Sequence, residues 1–219
     1  MTATFREWNR ILMIIIILNY DDCHNFLLGA LLAHNTRQRM IEATQILVAR
    51  HGSHGTSFGD ILAESGAPRG SLYHHFPGGK EELITTAVRA TGARALGELE
   101  ALRGASATEI AAGFVSMWRQ LLTLANFTVG CAVAGVAVDA ESDDLVDLSG
   151  EIFAEWTVLL ASLLTEGGIP SERAPSLAAI LLAGCEGGVI LARAARDLAP
   201  FERVAGELIA LISEATPAP

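Results

Sequence analysis

The sequence has few cysteines and few charged residues. Its 219 residues include three cysteines, Cys23, Cys131 and Cys185, which form no C-x-x-C motif and have no histidine at metal-ligand spacing. This pattern excludes a disulfide framework and gives no sign of a zinc site, so we expect a reducing, cytoplasmic environment. Charged residues make up 18 % of the chain and hydrophobic residues 51 %. That composition excludes an intrinsically disordered chain, because enough apolar surface can be buried to offset chain entropy.

Catalytic and nucleotide-binding motifs are also missing. The sequence contains no H-E-x-x-H, G-x-S-x-G or G-x-G-x-x-G, and the lysine of Gly78-Gly79-Lys80 is followed by Glu81 where a P-loop requires serine or threonine. His51 and His54 are three residues apart with a glycine between them and no third ligand nearby, so they do not indicate a metal site. We therefore expect no cofactor and no catalytic residue. A small all-α enzyme is kept as an alternative.

The first 35 residues differ from the rest of the chain. Residues 11–18 are an unbroken apolar run, but eight helical residues span about 12 Å and a bilayer core about 30 Å, so the run cannot cross a membrane. Arg6 and Arg10 precede it as in a secretory signal, yet no small-x-small cleavage pattern follows. We expect residues 1–35 to be a poorly structured or dispensable extension without stable membrane association. A membrane-surface adaptor anchored by the run is a further alternative.

The net charge of −10 is distributed unevenly. Residues 104–219 carry fifteen acids and five bases, whereas residues 1–103 carry ten of each. Because affinity for phosphate depends on lysine and arginine, we expect any nucleic-acid contact in the first half. Residues 36–80 hold five bases against three acids, which is a weak signal on its own.

From Arg37 onwards the pattern predicts an all-α fold. Apolar residues recur at intervals of three and four, without sustained alternation, and the first helix should run to about His51. Longer helices are predicted over residues 80–101, 107–124, 126–140, 145–166, 175–197 and 201–214.

Two short helices follow the first one and are separated by a glycine turn. Ser57 and Asp60 have the spacing of a capping box, and Gly66 is expected to end the helix that they begin. Pro68 precedes the next helix, over residues 69–76, at a place where a first-turn proline is tolerated. Two short helices joined in this way predict a helix-turn-helix.

The second of these short helices should have a polar outer face. Leu72 and Phe76 are four residues apart and are expected to pack inward. The outward side chains are then short polar groups, a phenol and an imidazole, and a helix with such a face can read base edges in a major groove. In this interpretation Arg69 binds guanine, Tyr73 donates to a phosphate, and Lys80 and the adjacent helix N-terminus hold the backbone. The alternative is an ordinary surface helix of a small bundle.

The region from Thr36 to Leu83 resembles the DNA-binding domain of the tetracycline-repressor (TetR) family. The segment T-S-F-G-D-I-L-A-E-S-G-A-P-R-G-S-L-Y-H-H-F-P-G-G-K-E-E-L contains the family's glycine turn, its G-[ST]-L-Y-x-[HY]-F motif and the lysine that opens the fourth helix. The P-G-G-K insertion and residues 129–134 and 188–193 resemble the branch that includes lincomycin-resistance repressors. One departure is Leu62, where the family commonly has alanine, and another is the long leader.

The resemblance implies a homodimeric repressor that binds a palindromic operator and releases it when a small, hydrophobic effector binds. It divides the chain into the extension, a helix-turn-helix DNA-binding domain over residues 36–83, and an effector-binding and dimerisation domain over residues 84–219. The predicted DNA-binding residues are Thr56, Ser57, Arg69, Gly70, Ser71, Tyr73, His74 and Lys80.

The second half supports a dimer and a ligand pocket. Residues 176–195 are apolar on almost every side, which a soluble helix sustains only if a partner covers one face, so we predict a homodimer through about residues 175–214. A pocket is expected among the fifth to eighth helices, where aromatic and soft apolar side chains favour small molecules, although such side chains also fill cores. The predicted effector-binding residues are Met117, Trp118, Phe127, Phe153, Trp156 and Glu186.

Glu186 stands between Cys185 and Gly187 in this apolar helix. An unpaired buried carboxylate costs several kcal/mol, so it should find donors or shift its pKa. Two interpretations stay open, a contact with a cationic effector and a hydrogen bond across the dimer interface, and we favour the interface.

Overall fold

The computed structural model describes residues 36–217, and within that range it contains helices and no strands. The predicted extension over residues 1–35, with its apolar run, lies outside the described residues. The helices are Thr36–His51 (α1), Phe58–Ser65 (α2), Ser71–His75 (α3), Gly79–Glu100 (α4), Ala107–Leu124 (α5), Ala132–Asp139 (α6), Asp143–Glu166 (α7), Ala174–Ala195 (α8) and Ala199–Ala215 (α9). The predicted all-α fold is confirmed.

The helix-turn-helix is delimited by the residues that the sequence predicted. The Ser57 side chain accepts a hydrogen bond from the Asp60 amide at 3.2 Å, and the Asp60 carboxylate accepts one from the Ser57 amide at 3.1 Å, so the capping box is present. Gly66 follows α2 with φ of 61°, a conformation that glycine adopts without strain. The third helix is shorter than predicted and begins at Ser71. The residues before it form a turn, in which the Ser71 amide and hydroxyl donate to the Pro68 carbonyl at 2.9 and 2.6 Å.

The predicted helix over residues 126–140 is wrong over residues 126–131. Asn126 and Phe127 have φ of 46° and 61°, which a right-handed helix cannot contain, and α6 begins only at Ala132. The Cys131 side chain caps it by accepting a hydrogen bond from the Ala134 amide at 3.4 Å. Residues 126–131 are therefore a connecting loop.

Two hydrophobic cores share α1 and α4. The smaller core contains Leu72 and Phe76, as predicted, packed with Ile61 of α2. On α4, Leu83 faces this small core, whereas the next residue, Ile84, belongs to the large core of the C-terminal helices. One continuous helix of 22 residues therefore takes part in both cores.

α7 and α8 are long and apolar enough, by length and composition alone, to cross a membrane. The large core accounts for much of this apolar character, since side chains such as Leu163 and Leu181 are fully or almost fully buried in it. Other apolar side chains of α8 lie on an exposed face that includes Ile180, Ile190 and Leu191. Helical packing and one open face therefore explain the hydropathy of α8.

Candidate nucleic-acid interface and ligand cavity

The outer face of the helix-turn-helix carries four of the eight predicted DNA-binding residues. Arg69, Gly70, Tyr73 and His74 are exposed, while Leu72 on the opposite face is 2 % exposed. The Tyr73 side chain is 65 % exposed, and its ring meets that of Phe58 edge to face at 5.9 Å. The structure therefore exposes the Tyr73 phenol on the short helix α3 and the Arg69 guanidinium just before that helix, an arrangement that suits insertion into a groove.

Three predicted contact residues have other hydrogen bonds. Thr56 is fully buried, and its hydroxyl donates to the Gly52 carbonyl at 2.7 Å, so it lies inside the turn and not on the outer face. Ser57 is exposed but caps α2, and its hydrogen bonds hold the pKa of Asp60 below its ordinary value. Ser71 is half-buried with its hydroxyl bound to Pro68. All three side chains therefore form hydrogen bonds within the helix-turn-helix, and Ser57 and Ser71 also reach its surface.

The start of α4 borders the same surface. Lys80 is half-buried there. The amide of Gly78, the residue before α4, donates to the Glu82 carboxylate at 2.7 Å. Sequence reasoning also missed Arg37, whose guanidinium lies 5.0 Å from the centre of the Phe76 ring, a cation–π contact that joins α1 to the end of α3.

A carboxylate from the C-terminal half holds the turn that precedes the helix-turn-helix. Asp139, the last residue of α6, accepts hydrogen bonds from the Ser53 amide at 3.0 Å, the Ser53 hydroxyl at 2.7 Å and the His54 amide at 3.1 Å. Gly52 contributes by lacking a side chain, since a Cβ atom there would collide with this carboxylate, and its φ of 75° also favours glycine. The contact was not predicted, because 86 residues separate Ser53 from Asp139.

A mainly apolar cavity of about 160 Å³ lies between α1, α4, α5, the loop before α6, and α7. The prediction placed it among the fifth to eighth helices; it reaches α1 and α4 instead of α8. This difference brings the cavity into contact with α1, a helix of the predicted DNA-binding domain. Its lining residues are Gln45, Ile46, Ala49, Thr91, Arg94, Ala95, Glu98, Leu99, Phe114, Met117, Trp118, Leu121, Val129, Gly130, Cys131, Ala132 and Trp156.

The predicted effector-binding residues divide into two groups. Met117, Trp118 and Trp156 line the cavity, whereas Phe127, Phe153 and Glu186 do not. Phe153 packs behind the cavity wall, with its ring edge to face with that of Trp156 at 5.6 Å. Phe127 lies in the loop between α5 and α6, at the position with φ of 61°.

The polar side chains of the cavity come from α1 and α4 and were missed. The Gln45 amide of α1 donates to the Thr91 hydroxyl of α4 at 3.1 Å, so the two helices are joined at the cavity wall. Arg94 and Glu98 are one helical turn apart; burial lowers the pKa of Arg94, and the charges of Glu42 and Glu98 oppose that shift. Spacing alone could not show that this side of α4 faces a cavity.

Glu186 lies behind the cavity, next to Cys131. Burial raises the pKa of Glu186 to about 7, while burial and the nearby carboxylate raise the pKa of the Cys131 thiol. One carboxylate oxygen of Glu186 has no hydrogen-bond partner among the described residues. Within the protomer the Glu186 carboxylate lies near the Cys131 side chain, and the contact across a dimer interface stays a prediction.

We expect Glu186→Gln to stabilise the protein at alkaline pH. The folded state keeps the Glu186 proton up to about pH 7, whereas the unfolded chain releases it near pH 4.5, so the free energy of unfolding falls as pH rises between those values. Glutamine mimics the protonated form; the variant should match the wild type near pH 4.5 and exceed it above pH 7 by up to about 3 kcal/mol. Urea denaturation at pH 5 and pH 8, at one protomer concentration, measures this difference. The exposed Glu172→Gln is the control. An equal fall in the free energy of unfolding from pH 5 to pH 8 in the wild type and in Glu186→Gln would contradict the prediction.

Comparisons with known proteins agree with this arrangement. Residues 40–87 match the family model of bacterial regulatory proteins of the tetR family, and residues 107–207 match the C-terminal domain of LmrA/YxaF-like transcriptional regulators. An HTH-type transcriptional regulator of Mycobacterium tuberculosis is 34 % identical over 179 residues, covering 78 % of this chain and 91 % of that protein. LmrA of Bacillus subtilis is 30 % identical over 172 residues, covering 76 % and 91 %. A TetR-family regulator from Agrobacterium tumefaciens has the same fold, with a TM-score of 0.72 at 22 % identity over 83 % of this chain and 98 % of that one.

The helix-turn-helix, its exposed face and these matches define a DNA-binding transcriptional regulator. The chain belongs to the TetR family, and its C-terminal domain is LmrA/YxaF-like. The family and its relatives are transcriptional regulators and not enzymes, which settles the enzyme alternative.

Proposed function

We propose that the protein is a cytoplasmic, homodimeric repressor that leaves a palindromic operator when a small, mainly hydrophobic effector binds. One observation carries the proposal: the cavity is lined by α1 and α4, the two helices that also enclose the helix-turn-helix core. A ligand in the cavity therefore contacts the DNA-binding unit directly. No membrane partner is part of the proposal.

In the proposed complex, α3 enters the major groove. Arg69 and Tyr73 are the main contacts, the first with a base edge and the second with a phosphate. Gly70 allows the backbone to approach closely, and among the described residues none other than its chain neighbours lies within 4 Å of where its Cβ would stand. His74, Ser57, Ser71 and Lys80 border the contact, whereas buried Thr56 supports the turn.

The open face of α8 supports the proposed dimer. Ile180, Ile190 and Leu191 are 45 %, 65 % and 53 % exposed, a row of large apolar side chains that a second copy would cover. α8 and α9 pack closely, since Cβ atoms at Gly184 and Gly188 would lie 2.9 Å from side chains of α9. α8 and α9 can therefore act as one rigid half of a four-helix interface. A two-fold axis through that interface would set two copies of α3 about 34 to 36 Å apart.

Two helices connect the cavity to the DNA-reading surface. The C-terminal half of α4 lines the cavity and its N-terminal end follows α3, so α4 can act as a lever. α6 begins at the cavity, after Cys131, and ends at Asp139, which holds the turn before α2. An effector that binds one arrangement of these helices better than the other shifts the population, and a coupling of about 1 to 3 kcal/mol lowers operator affinity about 5- to 150-fold.

Selection of bound DNA from a random library, with and without cell extract, tests the proposal. We expect enrichment of a palindrome whose half-site centres are about 10 base pairs or a multiple apart, and loss of binding in extract that contains the effector. Ile190→Glu is the matched control, because it places charges on the open face of α8 without touching α3 and should yield a monomer without palindrome selection. Equal enrichment of all sequences, or an identical palindrome from a monomeric wild type, would refute the proposal.

A further inference from the structure

A side chain in the last turn of α8 reaches the first helix of the predicted DNA-binding domain. Arg193 is half-buried, and its Nη2 donates to the Arg50 carbonyl of α1 at 3.5 Å and to the Thr128 carbonyl of the loop before α6 at 3.4 Å. Both bonds are long, but the donor is charged, and a positive charge is favoured at the carbonyl end of a helix. Arg193 therefore joins the proposed dimer helix to the end of α1.

The end of α1 is held by donors from distant parts of the chain. The last four carbonyl groups of an α-helix have no partner within the helix. In α1, the Ala49 carbonyl accepts a hydrogen bond from the Gly130 amide at 2.8 Å, and the Arg50 carbonyl accepts the one from Arg193. Both donors lie C-terminal to the helix-turn-helix, so two neighbouring carbonyls connect α1 to the second half of the chain.

Gly130 also gives the Arg193 side chain the space that it needs. A Cβ atom at Gly130 would lie 2.6 Å from Nη1 of Arg193, and the three nearest atoms to it all belong to this arginine. The φ of Gly130 is not in the left-handed region, so glycine is required here for space and not for the backbone conformation. The two residues belong to residues 129–134 and 188–193, the segments whose sequence carried the resemblance to one branch of the family, and the structure brings these segments together.

Arg193 lies within one turn of the open face of α8. Ile190 and Leu191, which belong to that face, precede it by three and two residues and are exposed. At the other end of the contact, α1 packs in the small core with Leu72 of α3. A short path of contacts therefore runs from the face that a second copy would cover, through Arg193 and α1, to the helix that is proposed to read DNA.

The spacing of two half-sites measures how firmly this path is held. One base pair inserted between the half-sites moves them about 3.4 Å further apart and rotates one relative to the other by about 35°. A dimer whose reading helices are held firmly must deform to bind the shifted operator, so its affinity falls. A dimer in which α1 is held loosely adapts to the shifted operator with a smaller loss of affinity.

We propose that Arg193 is a positioning residue for operator specificity. By holding α1 to the dimer helix α8 in each protomer, it fixes the half-site spacing that the dimer accepts. The proposal rests on the proposed function, because it requires a dimer bound to a palindrome. It concerns the geometry of the two reading helices and not the ligand of the cavity.

Operators of altered spacing test the proposal on the full-length protein without effector. The spacing ratio is the Kd for an operator lengthened by one base pair between its half-sites, divided by the Kd for the selected operator. Fluorescence anisotropy at one fixed salt concentration gives both values. Arg193→Ala and Gly130→Ala should each lower the ratio roughly two- to tenfold, the range to which the net contribution of one hydrogen bond corresponds. Binding to a duplex with a single half-site should stay at the wild-type value, because neither residue lies on the outer face of α3.

The two variants disturb one contact in different ways. Arg193→Ala removes the guanidinium, whereas Gly130→Ala retains the arginine and displaces it. Arg196→Asn is the matched control, because it removes an exposed charge from the same end of α8 and asparagine tolerates the φ of 53° at that position. A wild-type spacing ratio in either test variant, or an equal fall in Arg196→Asn, would overturn the proposal. If Arg193→Ala does not form a dimer, Gly130→Ala decides.

Thermal unfolding without DNA tests the contact itself. The change in melting temperature caused by Gly130→Ala should be more negative in the wild type than in the Arg193→Ala background, because the new Cβ atom collides with this arginine. Equal changes in the two backgrounds would show that the residues are not coupled and would overturn the proposal.

The outcome separates this inference from the function on which it rests. If the wild type selects no palindrome, the proposed repressor is wrong, and the spacing role falls with it even where the unfolding cycle shows coupling. If the wild type selects a palindrome but binds the lengthened operator equally well, the spacing role is wrong and the repressor stands.

Discussion

Replacing Arg69 or Tyr73 with alanine is expected to abolish specific operator binding and to leave the dimer intact. Both side chains are exposed on the outer face, so their removal leaves no cavity in the small core. A base-reading arginine contributes about 1 to 3 kcal/mol per half-site. A dimer loses this contribution twice, about 2 to 6 kcal/mol in total, which corresponds to about 30-fold to more than 10⁴-fold in affinity.

The two positions should fail in different ways. Arg69→Ala should relax the base preference at one position of each half-site, whereas Tyr73→Ala should weaken binding to all sequences, because a phosphate contact carries no sequence information. Tyr73→Phe is the matched control for the hydroxyl, since it keeps the ring that meets Phe58 at 5.9 Å. Gel shifts at one fixed salt concentration, with size-exclusion chromatography to confirm the dimer, give the result. Wild-type affinity in either alanine variant would count against this face as the DNA interface.

Local sequence signals predicted the helix-turn-helix because its geometry depends on neighbouring residues. Ser57 and Asp60 cap α2 through a contact over three residues, and Gly66 ends it through its own backbone conformation. The inward packing of Leu72 and Phe76 follows from helical spacing, and both are found in the small core. Such features need no knowledge of the rest of the chain.

The cavity was predicted less well because it depends on contacts between distant segments. The left-handed backbone at Asn126 and Phe127 has no glycine to mark it, so the sequence read the loop as helix. Without that loop, the fifth to eighth helices appeared to be the natural walls, and the part played by α1 was missed. Aromatic residues were found by composition, but the cavity-facing Trp156 and the core residue Phe153 are only three positions apart, and spacing could not separate them.

We expect Asp139→Ala to uncouple effector binding from operator release. The carboxylate accepts three hydrogen bonds from Ser53 and His54, and its loss leaves these donors without their protein partner. An unpaired donor costs about 1 to 3 kcal/mol where water cannot replace the bond. The turn before α2 should therefore loosen, and operator affinity should fall. Asp139 does not line the cavity, and effector affinity should therefore stay at the wild-type value.

The decisive quantity is the ratio of operator affinities without and with the effector. The proposed coupling gives a ratio of about 5 to 150 for the wild type, and Asp139→Ala should bring it close to one, whereas a defect confined to DNA binding would lower both affinities and leave the ratio unchanged. The ratio for Asp139→Asn should lie between those of the wild type and Asp139→Ala. Its amide oxygen can still accept the bonds from Ser53, but its amide nitrogen cannot accept the one from His54. Glu141→Ala is the matched control: it removes a nearby carboxylate whose contact with His54, at 3.3 Å, joins two exposed side chains, and such surface pairs contribute little. Fluorescence anisotropy of a labelled operator yields both affinities for each variant, and an unchanged ratio in Asp139→Ala would assign the coupling to α4 alone.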